Sequence, residues 1–237
     1  MKSWKWFGVV LVAVIVASVP AMAGPIILTF EGINATYPSA APPAAILNFY
    51  NGGTSSQGTS GPDYGISFSS NALAVCLNTP GETCTDASRG GLGDPNSQEG
   101  AMGFLVGSTA YLDDPAGFTT GLAFNYSALH YVGSVNVFSG LDGAGTLLAT
   151  LPLPVTPSSC DSSYSADFCP FFPAGVAFSG TAESVGFNSN GDNIAFDDVT
   201  LGSDIPGGAT PEPASLALLG TGLLTMLGLR RRRAQRS

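Results

Sequence analysis

Between residues 25 and 202 no stretch of the chain sustains a helical period, and nothing else in the sequence limits the fold so strongly. Apolar residues come in short alternating or continuous runs, each closed by turn-forming residues. The runs PIILTFE (25–31), YGISFSS (64–70), ALAVCL (72–77), AMGFLVG (101–107) and GFTTGLAFNYS (117–127) read as strands. So do YVGSVNVFSG (131–140), TLLATLPL (146–153), GVAFSG (175–180), ESVGFNS (183–189) and NIAFDDVTLG (193–202). Ten strands with no crossover helix predict an all-β domain, an antiparallel β-sandwich of the jelly-roll type. The 31 glycines and 17 prolines of the chain supply the turns that such a domain needs.

Alternation assigns faces within these runs. In 131–140, Val135 and Val137 point one way and Ser134, Asn136 and Phe138 the other, while Val132 is out of step, as if a bulge sat near Gly133. In 193–202, Ile194, Phe196 and Asp198 share one face and Asp197, Val199 and Leu201 the other, so one of the two aspartates is directed inward. Residues 51–63 (NGGTSSQGTSGPD) are rich in Gly and Ser and read as a mobile loop. The run NSNGDN at 188–193 reads as a hairpin turn, because it lacks the acidic series and the bidentate Glu of a calcium-binding loop.

The formal net charge of −9 hides an asymmetry. Between residues 24 and 209 there are sixteen acidic residues and one basic residue, Arg89, so this region carries −15. Such a surface repels phosphate backbones and excludes nucleic acid as a partner. Neutral sugars and metal ions stay open as ligands, whereas an anionic polymer would need a bridging cation.

Both ends of the chain are targeting segments. Lys2 and Lys5 precede the apolar run WFGVVLVAVIVASVP, and Ala21-Met22-Ala23 supplies the small residues that a signal peptidase reads, which predicts a secretory signal peptide cleaved after Ala23. Export gives the four cysteines an oxidising compartment. Cys76 with Cys84, and Cys160 with Cys169, fall as two local pairs without zinc-site or thioredoxin spacing, so structural disulfides are expected. Three connectivities exist, and proximity favours the two local bridges.

At the other end, Pro211-Glu212-Pro213 is followed by an apolar run, 214–229, and then by Arg230, Arg231, Arg232 and Arg233. Sixteen residues of helix reach about 24 Å, against a hydrocarbon core of about 30 Å, so the run spans a membrane only with help from snorkelling arginines. The arginines hold their end in the cytoplasm and place the domain outside. A permanent anchor is one reading of this tail. The chain thus divides into a signal peptide (1–23), a β-sandwich (24–204), a linker with the Pro-Glu-Pro motif (205–213), a transmembrane helix (214–229) and an Arg-rich cytoplasmic tail (230–237).

The order Pro-Glu-Pro, apolar span, arginine cluster resembles the PEP-CTERM sorting tail of exported bacterial proteins. The middle is similar to the sandwich region found in such proteins through Phe30-Glu31, the YNGG loop, YGISFSSNAL, VFSGLDGAGTLLAT and IAFDDVTLG. The resemblance implies an exosortase as processing partner and cleavage near the motif. It also implies an intermediate anchored in the inner membrane, and a destination at the cell surface or in the extracellular matrix of a Gram-negative bacterium that makes exopolysaccharide.

The first and last strands each bring carboxylates, Glu31 and the pair Asp197 and Asp198. Carbohydrate-binding jelly rolls look similar here and share a structural calcium, which makes Glu31 with Asp198, or with Asp197 as its substitute, a candidate Ca²⁺ site. Calcium takes six to eight oxygens, so backbone carbonyls and water would complete the shell. An acidic edge facing solvent is the other reading. No other cofactor is expected. His130 is the only histidine; no Gly-x-Ser-x-Gly or His-Glu-x-x-His occurs, and a surface or structural role is expected for it. Both tryptophans lie in the signal peptide, which leaves tyrosines to stack on sugars. The expected function is that of a non-enzymatic surface or matrix protein that binds exopolysaccharide. The alternative is an envelope glycan hydrolase with a carboxylate pair.

Overall fold

The computed structural model describes residues 24–34, 43–76, 100–157, 168 and 170–207. Within them the alternating runs become β1 (Ile26–Leu28), β2 (Ala44–Ala45), β3 (Ser67–Phe68), β4 (Leu73–Cys76), β5 (Gly100–Gly103) and β6 (Thr109–Phe118). They continue as β7 (Gly121–Ala128), β8 (Gly133–Phe138), β9 (Leu147–Leu153), β10 (Phe172–Ala177), β11 (Ala182–Asn188) and β12 (Ile194–Leu201). A short 3-10 turn at Leu141–Gly143 joins β8 to β9, and no α-helix occurs among the described residues. One sheet has the order β10-β7-β12-β5-β4-β2, with β1 also on β12; the other has the order β3-β6-β11-β8-β9. All pairings are antiparallel, so the fold is all-β and sandwich-like.

The core lies between the sheets because alternation sends one face of each strand inward. Val135 and Val137 of β8, Val185 and Phe187 of β11, and Phe124 and Phe196 of the facing sheet are fully buried. Phe187 reaches Phe196 across the sandwich at 4.8 Å between ring centroids, and Phe124 meets Phe196 edge to face at 5.3 Å. Burial of each ring contributes about 2 to 3 kcal/mol, so this trio ties the two sheets together. A smaller group, Val75, Ala101, Ala195 and Phe168, forms a separate cluster.

Several sequence expectations are corrected. Val132 is not part of a bulge; it precedes β8 and stands exposed, and Gly133 pairs regularly with Leu153. The 51–63 stretch is not a loose loop. The hydroxyls of Ser55 and Thr59 both donate to the Ile33 carbonyl, Ser56 and Ala45 bond each other reciprocally, and Tyr64 and Ile66 donate to the Tyr50 carbonyl. The NSNGDN run makes no hairpin, since β11 lies in one sheet and β12 in the other.

The folded part also runs past residue 204. Thr200 Oγ1 accepts from the Gly207 amide at 3.1 Å, and the Asp204 backbone lies so close over Gly121 and Gly175 that a Cβ at either would collide with it. The chain between 203 and 207 is therefore seated on the β7–β10 pair and is not a free linker.

The signal peptide, the Pro-Glu-Pro motif, the 214–229 span and the arginine cluster lie outside the described residues, as do Cys84, Cys160, Cys169 and the side chain of Cys76. Among the described residues no helix is long and apolar enough to cross a membrane.

Candidate functional site

Two places in the sandwich concentrate polar chemistry. The first is the point along β12 where its neighbour changes. Residues 199–201 pair with β1 and residues 195–196 with β5, so the Asp197-Asp198 step falls at the junction. On the other flank, the register with β7 shifts between Asp197 and Thr200. Asp198 has φ +48°, a left-handed conformation that an aspartate adopts more readily than most residues, and its N–H donates to Asp197 Oδ1 at 2.7 Å. This bulge advances the alternation by one residue. Ile194, Phe196, Val199 and Leu201 all reach the main core, and both aspartates are buried, at 0% and 4% exposure, where strict alternation puts only one inward.

Glu31 arrives from the end of β1. Its Oε1 accepts from the Gly100 N–H at 2.9 Å, at the start of β5. Gly100 is needed here because a Cβ would drive into the Phe30 carbonyl. Phe30 is fully buried with φ +58°, and its N–H donates to Tyr50 Oη at 2.9 Å. Burial pushes the Tyr50 phenol well above its ordinary pKa, and the charges of Asp197 and Glu31 push the same way. One phenol thus senses both carboxylates. Asn125 reaches Asp198 Oδ2 at a long 3.5 Å. The oxygen-only donor set suits a hard cation, and the described residues contain no lysine or arginine. Among the described residues, however, no three acidic, His or Cys side chains converge closely enough to hold a metal. A Ca²⁺ here would draw most of its ligands from the backbone and from water.

The second place is an open groove of about 390 Å³, lined by Ser108, Thr109, Ser134, Asn188, Ser189 and Asn190 with Val132 and Gly133. It was invisible in the sequence because three separate loops or strand ends build it: those between β5 and β6, β7 and β8, and β11 and β12. Asn193 organises them. Its Oδ1 accepts from the N–H groups of His130 and Tyr131 at 2.8 and 2.9 Å, and its Nδ2 donates to the Tyr131 carbonyl at 2.8 Å and to Ser189 Oγ at 2.9 Å. Asp192 N–H donates to the Phe104 carbonyl at 2.8 Å, and Gly191 packs directly on the Leu105 carbonyl. The floor is fixed by Thr109 Oγ1 donating to Asn188 Oδ1 at 2.8 Å and Asn188 Nδ2 donating to the Gly186 carbonyl at 3.0 Å. His130 itself is an exposed residue of the rim.

Of the seven tyrosines, Tyr50 and Tyr126 are buried; Tyr131, beside the groove, and Tyr64, stacked on Tyr50, are the exposed ones among the described residues. One acidic pair stands elsewhere. Asp113 Oδ1 accepts from the Asp142 N–H at 2.8 Å, and burial, with the neighbouring Asp142 charge, raises the Asp113 carboxyl above the usual carboxylate range.

Comparison with known proteins adds one strong match. Residues 209–233 match the PEP-CTERM protein-sorting motif, so the carboxy-terminal tail is a sorting signal. No curated protein matches the chain. Among solved structures, the K1 cleaved adhesin domain of Lys-gingipain from Porphyromonas gingivalis W83 is similar at 13% identity over 76% of this chain and 99% of that one, with a TM-score of 0.41. The K3 cleaved adhesin domain of the same protein is similar at 13% identity over 77% of this chain and 94% of that one, with a TM-score of 0.31.

Proposed function

We propose that this chain is an exported, non-enzymatic surface protein that binds exopolysaccharide. Its β-sandwich, of jelly-roll type, leaves the cell behind a cleavable signal peptide and is held in the inner membrane by 214–229 and Arg230 to Arg233. An exosortase-type enzyme then processes it near Pro211-Glu212-Pro213, and it ends at the cell surface or in the matrix of a Gram-negative bacterium. The observation that carries this reading is the PEP-CTERM motif at 209–233, which begins as the compact unit Gly24–Thr210 ends.

Supporting details come from the site chemistry. The expected bridges Cys76–Cys84 and Cys160–Cys169 suit the oxidising side of the membrane, where each would close a short loop and contribute about 2 to 3 kcal/mol. Glu31 with Asp198, or with Asp197 in its place, would hold a structural Ca²⁺ at the β1–β5 junction; the ion would lock the first and last strands together. A drop in melting temperature on adding a chelator, reversed by Ca²⁺, supports that site, and an unchanged melting curve removes it.

The main test is mass spectrometry of the protein recovered from the envelope and the medium. The expected amino terminus is Gly24 and the expected carboxy terminus lies near the Pro-Glu-Pro motif. A protein that retains Ser237 and stays in the inner membrane would overturn the processed-surface reading in favour of a permanent anchor.

A further inference from the structure

The groove at the loop end of the sandwich is built from residues outside the sorting motif at 209–233, and its chemistry defines a ligand class. We infer that it binds a sugar unit of a neutral polysaccharide, with Tyr131 covering the apolar face of the ring; this rests on the matrix-binding reading above and adds the site and the kind of glycan. Apart from Val132 and Gly133, every lining side chain is a hydroxyl or an amide, and none is charged. Each such group can donate and accept, as a sugar hydroxyl does.

Some of these groups are occupied and some are not. The Thr109–Asn188 and Ser189–Asn193 pairs build the wall. By contrast, among the described residues no protein group hydrogen-bonds the hydroxyls of Ser108 and Ser134 or the amide of exposed Asn190. Three polar groups thus face one fixed concavity with their hydrogen-bonding capacity unspent. The concavity is preorganised, because Asn193 holds two of the three rim loops and the Gly191–Leu105 contact holds the third. Its volume of about 390 Å³ falls within the range of small-ligand sites, roughly 300 to 1,000 Å³.

The rim supplies the apolar complement. Tyr131 is 57% exposed, and Val132 and Val106 are each 71% exposed, on the loops that flank the groove. Tyr131 directly precedes the groove-lining Val132, its backbone is held by two hydrogen bonds to Asn193, and its exposed ring has the apolar body that suits the C–H face of a hexose. The charge balance selects the polymer. With −15 between residues 24 and 209 and no lysine or arginine among the described residues, an anionic polysaccharide is repelled and finds no counter-charge, while a neutral one meets no penalty.

The test is affinity electrophoresis of the protein as the host exports it, in native gels containing dextran, laminarin or galactomannan as neutral probes and alginate as the anionic one. Retardation by at least one neutral polymer and none by alginate is expected. Tyr131→Ala, and the double variant Ser134→Ala with Asn190→Ala, alter surface side chains and should fold normally; each should weaken retardation roughly tenfold, the effect of about 1.4 kcal/mol. Retardation by alginate, or by no neutral polymer, overturns the proposal. Undiminished retardation of both variants also overturns it by moving the sugar to another surface, although the matrix-binding reading would then stand. Export and processing are read separately by the termini of the mature chain, so their failure is not confused with failure of the groove.

Discussion

Asn193 offers the sharpest test of how the loop end is held. Its side chain is 3% exposed and makes four hydrogen bonds, two accepted from the His130 and Tyr131 amides and two donated to the Tyr131 carbonyl and Ser189 Oγ. A net value of about 1 kcal/mol per bond sets an upper figure of about 4 kcal/mol for Asn193→Ala. His130 and Tyr131 are exposed, so water can replace part of what their backbone groups lose, whereas Ser189 is buried and cannot be compensated so easily. The expected loss is therefore about 2 to 3 kcal/mol, or a fall in Tm of about 4 to 12 °C for a domain of this size. Ser189→Ala removes one of the four bonds and should cost about 1 kcal/mol or less. Calorimetry of the three proteins gives the energies, and hydrogen exchange gives the location: the His130 and Tyr131 amides should lose protection in Asn193→Ala while those of β8 and β11 keep theirs. A loss below about 0.5 kcal/mol, or protection lost evenly across the sandwich, would refute the view that this asparagine pins the rim.

Three further outcomes follow from the buried polar groups. Tyr50→Phe leaves the buried Phe30 N–H without its acceptor and should destabilise by about 1 to 3 kcal/mol in denaturant titrations. Because burial raises the phenol pKa, the stability it contributes is complete below about pH 10 and is lost as pH climbs through the raised value; the variant should show a flatter alkaline limb. Gly100→Ala forces a methyl group into the Phe30 carbonyl and should cost about 1 to 3 kcal/mol, read by chemical denaturation, with any Ca²⁺ effect at Glu31 weakened in parallel. The Asp113 carboxyl is also raised, chiefly by burial, so its contribution is complete below the ordinary carboxylate value near 4 and is lost as pH rises through the raised one. Asp113→Asn keeps an oxygen for the Asp142 amide and should lessen the fall in Tm between pH 4 and 7; an unchanged slope would remove this group from the pH response.

The strands most legible in the sequence are those whose alternation runs without interruption. Val135 and Val137 in β8 and Val185 and Phe187 in β11 declare their face by spacing alone. The longest pair of strands shows what spacing hides. β6 (Thr109–Phe118) carries Asp113-Asp114-Pro115, which reads as a break. It survives as a strand because β3 pairs only with Leu112 and Asp113, so Pro115 needs no ladder partner there. On the other side the register jumps from Ser184–Asp113 to Ala182–Phe118, and Asp114 Oδ1 accepts from the amides of Ala116 and Gly117 within the bulge. The Asp198 bulge hides in the same way, because an Asp-Asp-Val run obeys alternation on paper while a single left-handed residue reverses it. Glu31, Asp197 and Asp198 stand out in the sequence as carboxylates of the first and last strands, but the junction at which Asp197 and Asp198 lie is a change of neighbour along β12, and neighbour order leaves no local mark. The groove was less legible still. Its residues come from three loops and the strand ends beside them, and the Ser and Asn that line it are the residues that ordinary turns also use.

The seating of residues 203–207 bears on how the sorting tail and the domain divide their work. Asp204 rests on two positions, Gly121 in β7 and Gly175 in β10, where any side chain would displace it, and the Gly207 amide is bonded to Thr200 Oγ1. The sandwich thus closes its own carboxy-terminal seam before the motif at 209–233 begins. If that seam is what completes the fold, removal of the tail should be silent and disruption of the seam should not. A chain ending at Thr210 is expected to melt within about 1 °C of the full-length protein, whereas Gly175→Ala, which evicts the Asp204 carbonyl, should lower stability by about 1 to 3 kcal/mol in either context. A truncated chain that unfolds many degrees lower would mean that the tail is part of the folded domain's support, and that cutting it during sorting releases a weakened protein; equal melting would make the tail an address that the fold can lose without consequence.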